Sequence, residues 1–215
     1  MTTDLWATFD CYGTLIDWNG GIRRELARIF GEGRADEQLE RYHRVEPALQ
    51  AGGERSYREV MGAALRQLGA PGGEEDALSR ALPSWRPFPE VPAALETARG
   101  RGWKLAILSN TDRDFIEASM QRIGVPFELA IVASEIGSYK PGHAHWRRFF
   151  AQVDVPRDRH VHVAQSHLHD IVPARELGLR SVWINRYGEK HEPPPTRELP
   201  DLSGLPDTLD ELVAA

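Results

Sequence analysis

Leu5-Trp6-Ala7-Thr8-Phe9-Asp10-Cys11-Tyr12-Gly13-Thr14-Leu15 runs a short, mostly apolar segment straight into a carboxylate and a glycine turn. The same grammar recurs along the chain. Lys104-Leu105-Ala106-Ile107-Leu108 leads into Ser109-Asn110, and Glu128-Leu129-Ala130-Ile131-Val132 leads into Ala133-Ser134-Glu135. His160-Val161-His162-Val163-Ala164 leads into Gln165-Ser166, and Arg180-Ser181-Val182-Trp183-Ile184 leads into Asn185-Arg186. Runs this short, partly β-branched and bounded by turn formers, are the pattern of buried parallel strands.

Helix-length segments with apolar spacing of three and four lie between these runs, at 91–101, 114–123, 144–153 and 172–177. Gly124 and Gly178 follow two of them as stops. Strand–helix alternation predicts an α/β fold, a Rossmann-like doubly wound parallel sheet with right-handed crossovers. Chemistry in such sheets gathers beyond the carboxyl ends of the strands, which brings Asp10, Ser109, Asn110 and the 165–170 segment to one edge. The stretch from about 22 to 85 breaks the alternation with candidate helices at 22–30, 36–50, 56–68 and 74–82. An all-helical insert after the first strand is expected to sit over the strand ends, so the chain divides into a core of 1–16 and 87–215 and a helical cap of 17–86. Residues 187–205, rich in proline and charge, read as a surface loop, and 206–213 as a terminal helix with Pro206 in its first turn.

With 215 residues, the chain can bury a full core. Its net charge of -6 argues against a broad basic surface, so nucleic acid is not an expected partner. No apolar run approaches the ~18 residues of a membrane span. The stretch MTTDLWATFD lacks the basic-then-apolar build of a signal peptide, so a cytoplasmic location is expected. The lone cysteine, Cys11, has no internal disulfide partner.

Four segments, in order, resemble the motifs of the haloacid dehalogenase superfamily. Phe9-Asp10-Cys11-Tyr12-Gly13-Thr14-Leu15 resembles the first and Leu108-Ser109-Asn110 the second. Ser138-Tyr139-Lys140-Pro141 resembles the third, and Asp170 the last acidic position of the fourth. The superfamily's phosphatases carry an acid two places after the nucleophile and an acidic pair in the fourth motif that holds magnesium. Here those places hold Tyr12 and Gln165. Phosphoryl transfer needs cation screening and usually an acid for the leaving group. Halide leaves without a proton, and a monoanionic substrate asks for less screening. The chain therefore resembles the L-2-haloacid dehalogenase branch.

That resemblance implies a role for each site residue. Asp10 is the nucleophile: it attacks C2 of a short 2-haloacid, expels halide and forms an ester that water hydrolyses, with no metal or other cofactor. Lys140 keeps Asp10 ionised and oriented; a charge pair at ~4 Å is worth about 4 kcal/mol at an effective dielectric of 20, before desolvation. Ser109 and nearby backbone N–H groups bind the substrate carboxylate. Arg41 matches the cap arginine that grips the halide, and Asn110 lines the same side. Trp146 stands where the family has a tyrosine, and Tyr12 and Gln165 complete the substrate-facing set. Asp170 activates or positions the water, a role worth about 10² to 10⁴ in rate. The partner is a small molecule, and the family admits a homodimer.

The fourth motif departs from the family: Gln165 replaces a serine and His167 an asparagine, which suggests that His167 shares the water-activating role with Asp170. Plainer readings stand beside the sharp ones. Asp10 also suits a turn, Lys140 an ordinary Tyr-Lys-Pro-Gly turn, and Arg41 a solvated helix face shared with Arg34 and Arg44. Ser109 and Asn110 also suit helix capping. His160, His162, His167 and His169 form two H-x-H pairs, but the second lies past the strand end, and metal binding is not expected. Cys11 is expected to be buried, and Trp6, Trp85, Trp103 and Trp183 to be packing residues. Three alternatives stay open: a phosphatase with a degraded metal site, a carboxylate-nucleophile hydrolase for another bond such as a strained ring, and a non-catalytic binding protein.

Overall fold

A computed structural model describes residues 4–53 and 55–214. Residues 1–3, part of the stretch read for a leader, lie outside the described residues. Every strand inferred from an apolar run is present: β1 (Leu5–Phe9), β2 (Trp103–Ser109), β3 (Leu129–Val132), β4 (His160–Ala164) and β5 (Arg180–Ile184). All pair in parallel in the order β3-β2-β1-β4-β5, with β6 (Arg197–Leu199) on the outside. The chain order reverses between β1 and β4, which opens a crevice at their carboxyl ends.

Alternation along the strands sends side chains to two cores. Ala7, Phe9, Leu105, Ile107, Val161 and Val163 pack on one face beneath α5 (Val91–Gly100), α6 (Arg113–Ile123) and α10 (Leu205–Ala214). Trp6, Ala106, Leu108 and Ile131 pack on the other against α8 (Ala144–Gln152) and α9 (Val172–Glu176). Near-continuous burial on both faces is why these strands read as apolar runs rather than as alternating ones. Cys11, Trp6, Trp85, Trp103 and Trp183 are buried.

The insert after β1 consists of α1 (Trp18–Phe30), α2 (Ala35–Gln50), α3 (Tyr57–Leu68) and α4 (Ala77–Ala81). Local chemistry sets its ends. Asp17 caps α1 by accepting from the Gly20 N–H at 2.9 Å, so that helix starts four residues before its apolar periodicity does. Ser56 and Glu59 form a capping box on α3. Two more α3 amides are met from the core: Asp112 accepts from the Tyr57 and Arg58 N–H groups at 2.9 and 3.0 Å. A carboxylate from the β2–α6 turn thus fastens the insert over the strand ends, where it complements the positive end of the α3 dipole.

Residues 187–205 are not loop throughout. Arg197–Leu199 forms β6, with Val182 opposite Arg197 and Ile184 opposite Leu199. An edge strand takes its register from the main chain of its neighbour, and Arg197 and Glu198 are exposed, so no apolar run announced it. The helix expected at 74–82 is confined to α4, because Glu74 and Glu75 bond into the preceding turn. A short helix α7 (Ala133–Ile136) and a single π-helical turn (His167–Ile171) were also not anticipated. No helix among the described residues is long and apolar enough to cross a membrane.

Gly21 lets α1 lie against the indole of Trp85, which is 2% exposed. A Cβ at Gly21 would fall 2.4 Å from that ring. Gly21→Ala gains up to about 1 kcal/mol of helix propensity, whereas overpacking a buried ring costs about 1–3 kcal/mol. The clash is more than an ångström deep, so overpacking wins. Urea unfolding of Gly21→Ala is expected to show a net loss of about 1–2 kcal/mol; an unchanged or raised midpoint would contradict this packing.

Candidate active site

Asp10 continues β1 by one residue, its N–H donating to the Val163 carbonyl at 3.0 Å. The chain then turns at Gly13, whose φ of +92° is the left-handed region that favours glycine. A Cβ there would press on Gln165 Oε1 at 3.3 Å. The turn returns Thr14 to the site. Its hydroxyl donates to Asp10 Oδ2 at 2.7 Å and accepts from the Gln165 N–H at 2.8 Å.

The other oxygen of Asp10 meets Lys140. The Lys140 ammonium, 2% exposed, donates to Asp10 Oδ1 at 2.9 Å, Asp170 Oδ1 at 2.6 Å and the Leu108 carbonyl at 2.8 Å. Those three bonds use all its protons. Asn110 holds the lysine in place through its main chain: Asn110 Oδ1 accepts from the Lys140 N–H at 2.7 Å, and its Nδ2 donates to the Lys140 carbonyl at 3.0 Å. Asn110 lines the cleft, but its amide serves as a clamp.

Burial pushes the Asp170 carboxyl up, yet the Lys140 ammonium and the His162 ring outweigh it and hold Asp170 at about 2. For Asp10, burial prevails over Lys140 and Thr14, and the Asp170 charge adds to it, so its pKa lies above the ordinary value. Asp170 is the stronger acid of the two because the Lys140 ammonium lies closer to it, at 2.6 against 2.9 Å, and the His162 ring adds to that pull. The two carboxylates raise the pKa of Lys140 despite its burial.

Behind Asp170 runs a one-way hydrogen-bond chain that the H-x-H spacing did not reveal as such. A carboxylate only accepts, so His162 Nε2 donates to Asp170 Oδ1 at 3.0 Å. His162 then accepts at Nδ1 from the Thr8 hydroxyl at 2.8 Å, and Thr8 accepts from His160 Nε2 at 2.9 Å. Burial holds the pKa of His160 well below its ordinary value, so its unpartnered Nδ1 carries a lone pair and not an orphaned proton. Beneath β2, His145 Nε2 donates to the Ser109 carbonyl at 3.1 Å, and burial lowers its pKa to about 3.

These groups open into a cleft of about 280 Å³ whose floor includes Asp10, Ser109, Asn110, Lys140, Gln165 and Asp170. Tyr12 also lines it, its hydroxyl 2.9 Å from Ser119 Oγ and its ring stacked on Tyr57. The roof comes from the insert: Trp18, Tyr57 and one face of α2 carrying His43, Glu46, Pro47 and Gln50. Trp18 Nε1 donates to the Tyr57 hydroxyl at 2.8 Å, and that hydroxyl donates to Glu46 Oε1 at 3.0 Å. Burial pushes Glu46 up to about 7.

Three expected residues are not brought to the cleft. Arg41 donates to Gln38 Oε1 at 3.0 Å. At about 100° per residue it lies roughly 160° around α2 from the cleft-facing row. His167 donates from Nε2 to the Pro193 carbonyl at 2.8 Å and packs against Trp183 and His191. Two residues apart in a helical turn point to roughly opposite sides, so it is His169 that lines the cleft, beside Ser166 at 3.0 Å. Trp146, 1% exposed, supports the site from below with its ring edge-on to His162, centroids 5.1 Å apart. Glu46, Tyr57, Trp18 and His169 were missed: their spacing marks a helix face or turn, but not what that face covers.

A family model described as haloacid dehalogenase-like hydrolase matches residues 6–178. Haloacetate dehalogenase H-2 of Moraxella sp. (strain B) is 30% identical over 84% of this chain and 85% of that protein. The (S)-2-haloacid dehalogenase of Pseudomonas sp. (strain YL) is 28% identical over 86% of this chain and 84% of that one. The structure of L-2-haloacid dehalogenase from Xanthobacter autotrophicus with chloropropionic acid covalently bound shares the fold, with a TM-score of 0.83, 18% identity and coverage of 97% and 99% of the two chains.

The Lys140 clamp sets a pH signature for stability. Asp170, depressed to about 2, contributes stability that is complete above about pH 4 and lost as pH falls through 2. Lys140→Met leaves two buried carboxyls facing each other without a cation, at a cost of about 3–5 kcal/mol. One of them must then keep a proton, so its folded pKa rises and stability is lost as pH increases. Urea unfolding at pH 5 and pH 8 is expected to find the deficit of Lys140→Met larger at pH 8; a deficit independent of pH would contradict the clamp.

Proposed function

Because this chain belongs to the haloacid dehalogenase-like hydrolase family, we propose that it is a dehalogenase acting on a short 2-haloacid through an ester on Asp10. The observation that carries this reading is the Lys140 ammonium, which fills the space between Asp10 and Asp170. A carboxylate pair bridged by an internal ammonium can act on a monoanionic substrate without a bound metal. With Tyr12 in place of an acid after the nucleophile, the site suits a leaving group that departs with its electron pair and no proton.

In this mechanism Asp10 attacks C2, the carbon–halogen bond breaks and halide leaves with the electron pair. Ser109 and adjacent backbone N–H groups receive the substrate carboxylate, and the aromatic side chains of Tyr12, Trp18 and Tyr57 enclose its carbon chain. Water then adds to the ester carbonyl of Asp10, and the hydroxy acid departs as the carboxylate re-forms. Asp170 orients that water through Oδ2, which is buried with no partner while Oδ1 is held by Lys140 and His162. His169 takes the water's proton: burial lowers its pKa, so its ring is neutral and can accept. The (S)-2-haloacid dehalogenase and haloacetate dehalogenase relatives support the substrate class. Residues 17–86 act as the cap over this chemistry.

The test is halide release from chloro-, bromo- and fluoro-acids of both hands, with mass spectrometry of the protein after mixing with 2-chloropropionate. Halide release is expected, with an Asp10 adduct that accumulates in Asp170→Asn as turnover falls by about 10² to 10⁴. No halide and no adduct would overturn the proposal. Magnesium-dependent hydrolysis of phosphate esters in its place would identify a phosphatase.

A further inference from the structure

Among the described residues lining the cleft, Lys140 is the one lysine or arginine, and its three protons are committed. Its charge is already outnumbered by Asp10 and Asp170. An anion entering beneath the roof therefore meets no free cation. The roof offers instead a buried carboxyl, Glu46, 7% exposed.

The protons around Glu46 run in one direction. An indole N–H can only donate, so Trp18 uses the Tyr57 oxygen as acceptor. The single proton of Tyr57 is then directed to Glu46 Oε1. When Glu46 is neutral, a proton on Oε2 leaves Oε1 as the acceptor for Tyr57. Gln50, next along the same helix face, also bonds to this carboxyl and accepts from Asn110 at 3.4 Å.

We propose that neutral Glu46 is the donor in the cleft roof that receives the departing halide, in place of a cationic side chain. This deepens the dehalogenase reading and rests on it for the identity of the anion. An ionised Glu46 would add a third negative charge to a cleft that must admit a carboxylate and release a halide. Protonation removes that charge and creates the donor in one step.

Glu46 is the roof group that burial brings to about 7. Tyr57 on α3, Tyr42 on α2 and Tyr139 beside Lys140 are pushed up by burial and stay neutral. His43 on α2 and His169 past β4 are pushed down by burial. On the floor, Lys140 stays charged and Asp170 ionised, Asp10 lies above its ordinary value, and Glu189 lines the cleft as an exposed charge.

Bromide alone is the probe, followed through the line width of the bromide-81 resonance, and no turnover is needed. The unsubstituted protein is expected to bind bromide about tenfold more weakly at pH 8 than at pH 6, as the neutral fraction of Glu46 falls. Glu46→Gln keeps an uncharged donor and should bind equally at both pH values; Glu46→Leu should bind weakly at both. Flat or absent bromide binding in the unsubstituted protein overturns the proposal, even if a variant fails to fold. So does the same pH dependence persisting in Glu46→Gln. Failure to release halide from any haloacid would sink the dehalogenase reading separately and leave the bromide result standing.

Discussion

The Lys140 ammonium is the interaction on which the site depends. It joins the end of β1 through Asp10, the end of β2 through the Leu108 carbonyl and the turn after β4 through Asp170. Burying one cation beside two carboxylates is tolerable only if each group is bonded, since removing any partner strands a charge away from water. Asn110 meets that demand by gripping the main chain of Lys140 from both sides. The charge network and the loop geometry are thus one device, and three strand ends are held in register by it.

The layers around this clamp are polarised in fixed directions. Thr14 and Lys140 each take one oxygen of Asp10, so both rotation and ionisation of the carboxylate are constrained. On the far side, His160, Thr8 and His162 pass donors one way toward Asp170, which leaves only Oδ2 unbonded. A buried network of this kind rigidifies when every member is satisfied. The same logic fastens the insert: Asp112 uses two otherwise orphaned α3 amides to hold Tyr57, and through it Glu46, above the floor.

Floor and roof therefore have different electrostatic character. The floor has a cation that is fully occupied and a carboxylate pair of unequal acidity. The roof has aromatic surface, neutral imidazole and a carboxyl poised near neutrality. Arg41 would have reversed the sign of the roof, but the phase of α2 turns it away. One helix face decides what kind of anion site this cleft offers.

The sequence by itself determined the five strands marked by apolar runs, their parallel pairing and the residues at their ends. Apolar runs ending in polar residues follow from burial on both sheet faces, and Asp10, Ser109, Asn110 and Asp170 were legible because strand ends converge in any doubly wound sheet, whereas Lys140, which ends no strand, was legible only through the motif resemblance. The edge strand at 197–199 was not legible, because its partner's main chain makes it and no buried side chain marks it. Nor were the helix phases. Arg41 against Glu46, and His167 against His169, differ by rotation about an axis, and that rotation is set by packing against α1, α3 and residues 187–194. A motif names which residues are near the site in sequence; only the tertiary structure decided which of them turn toward it.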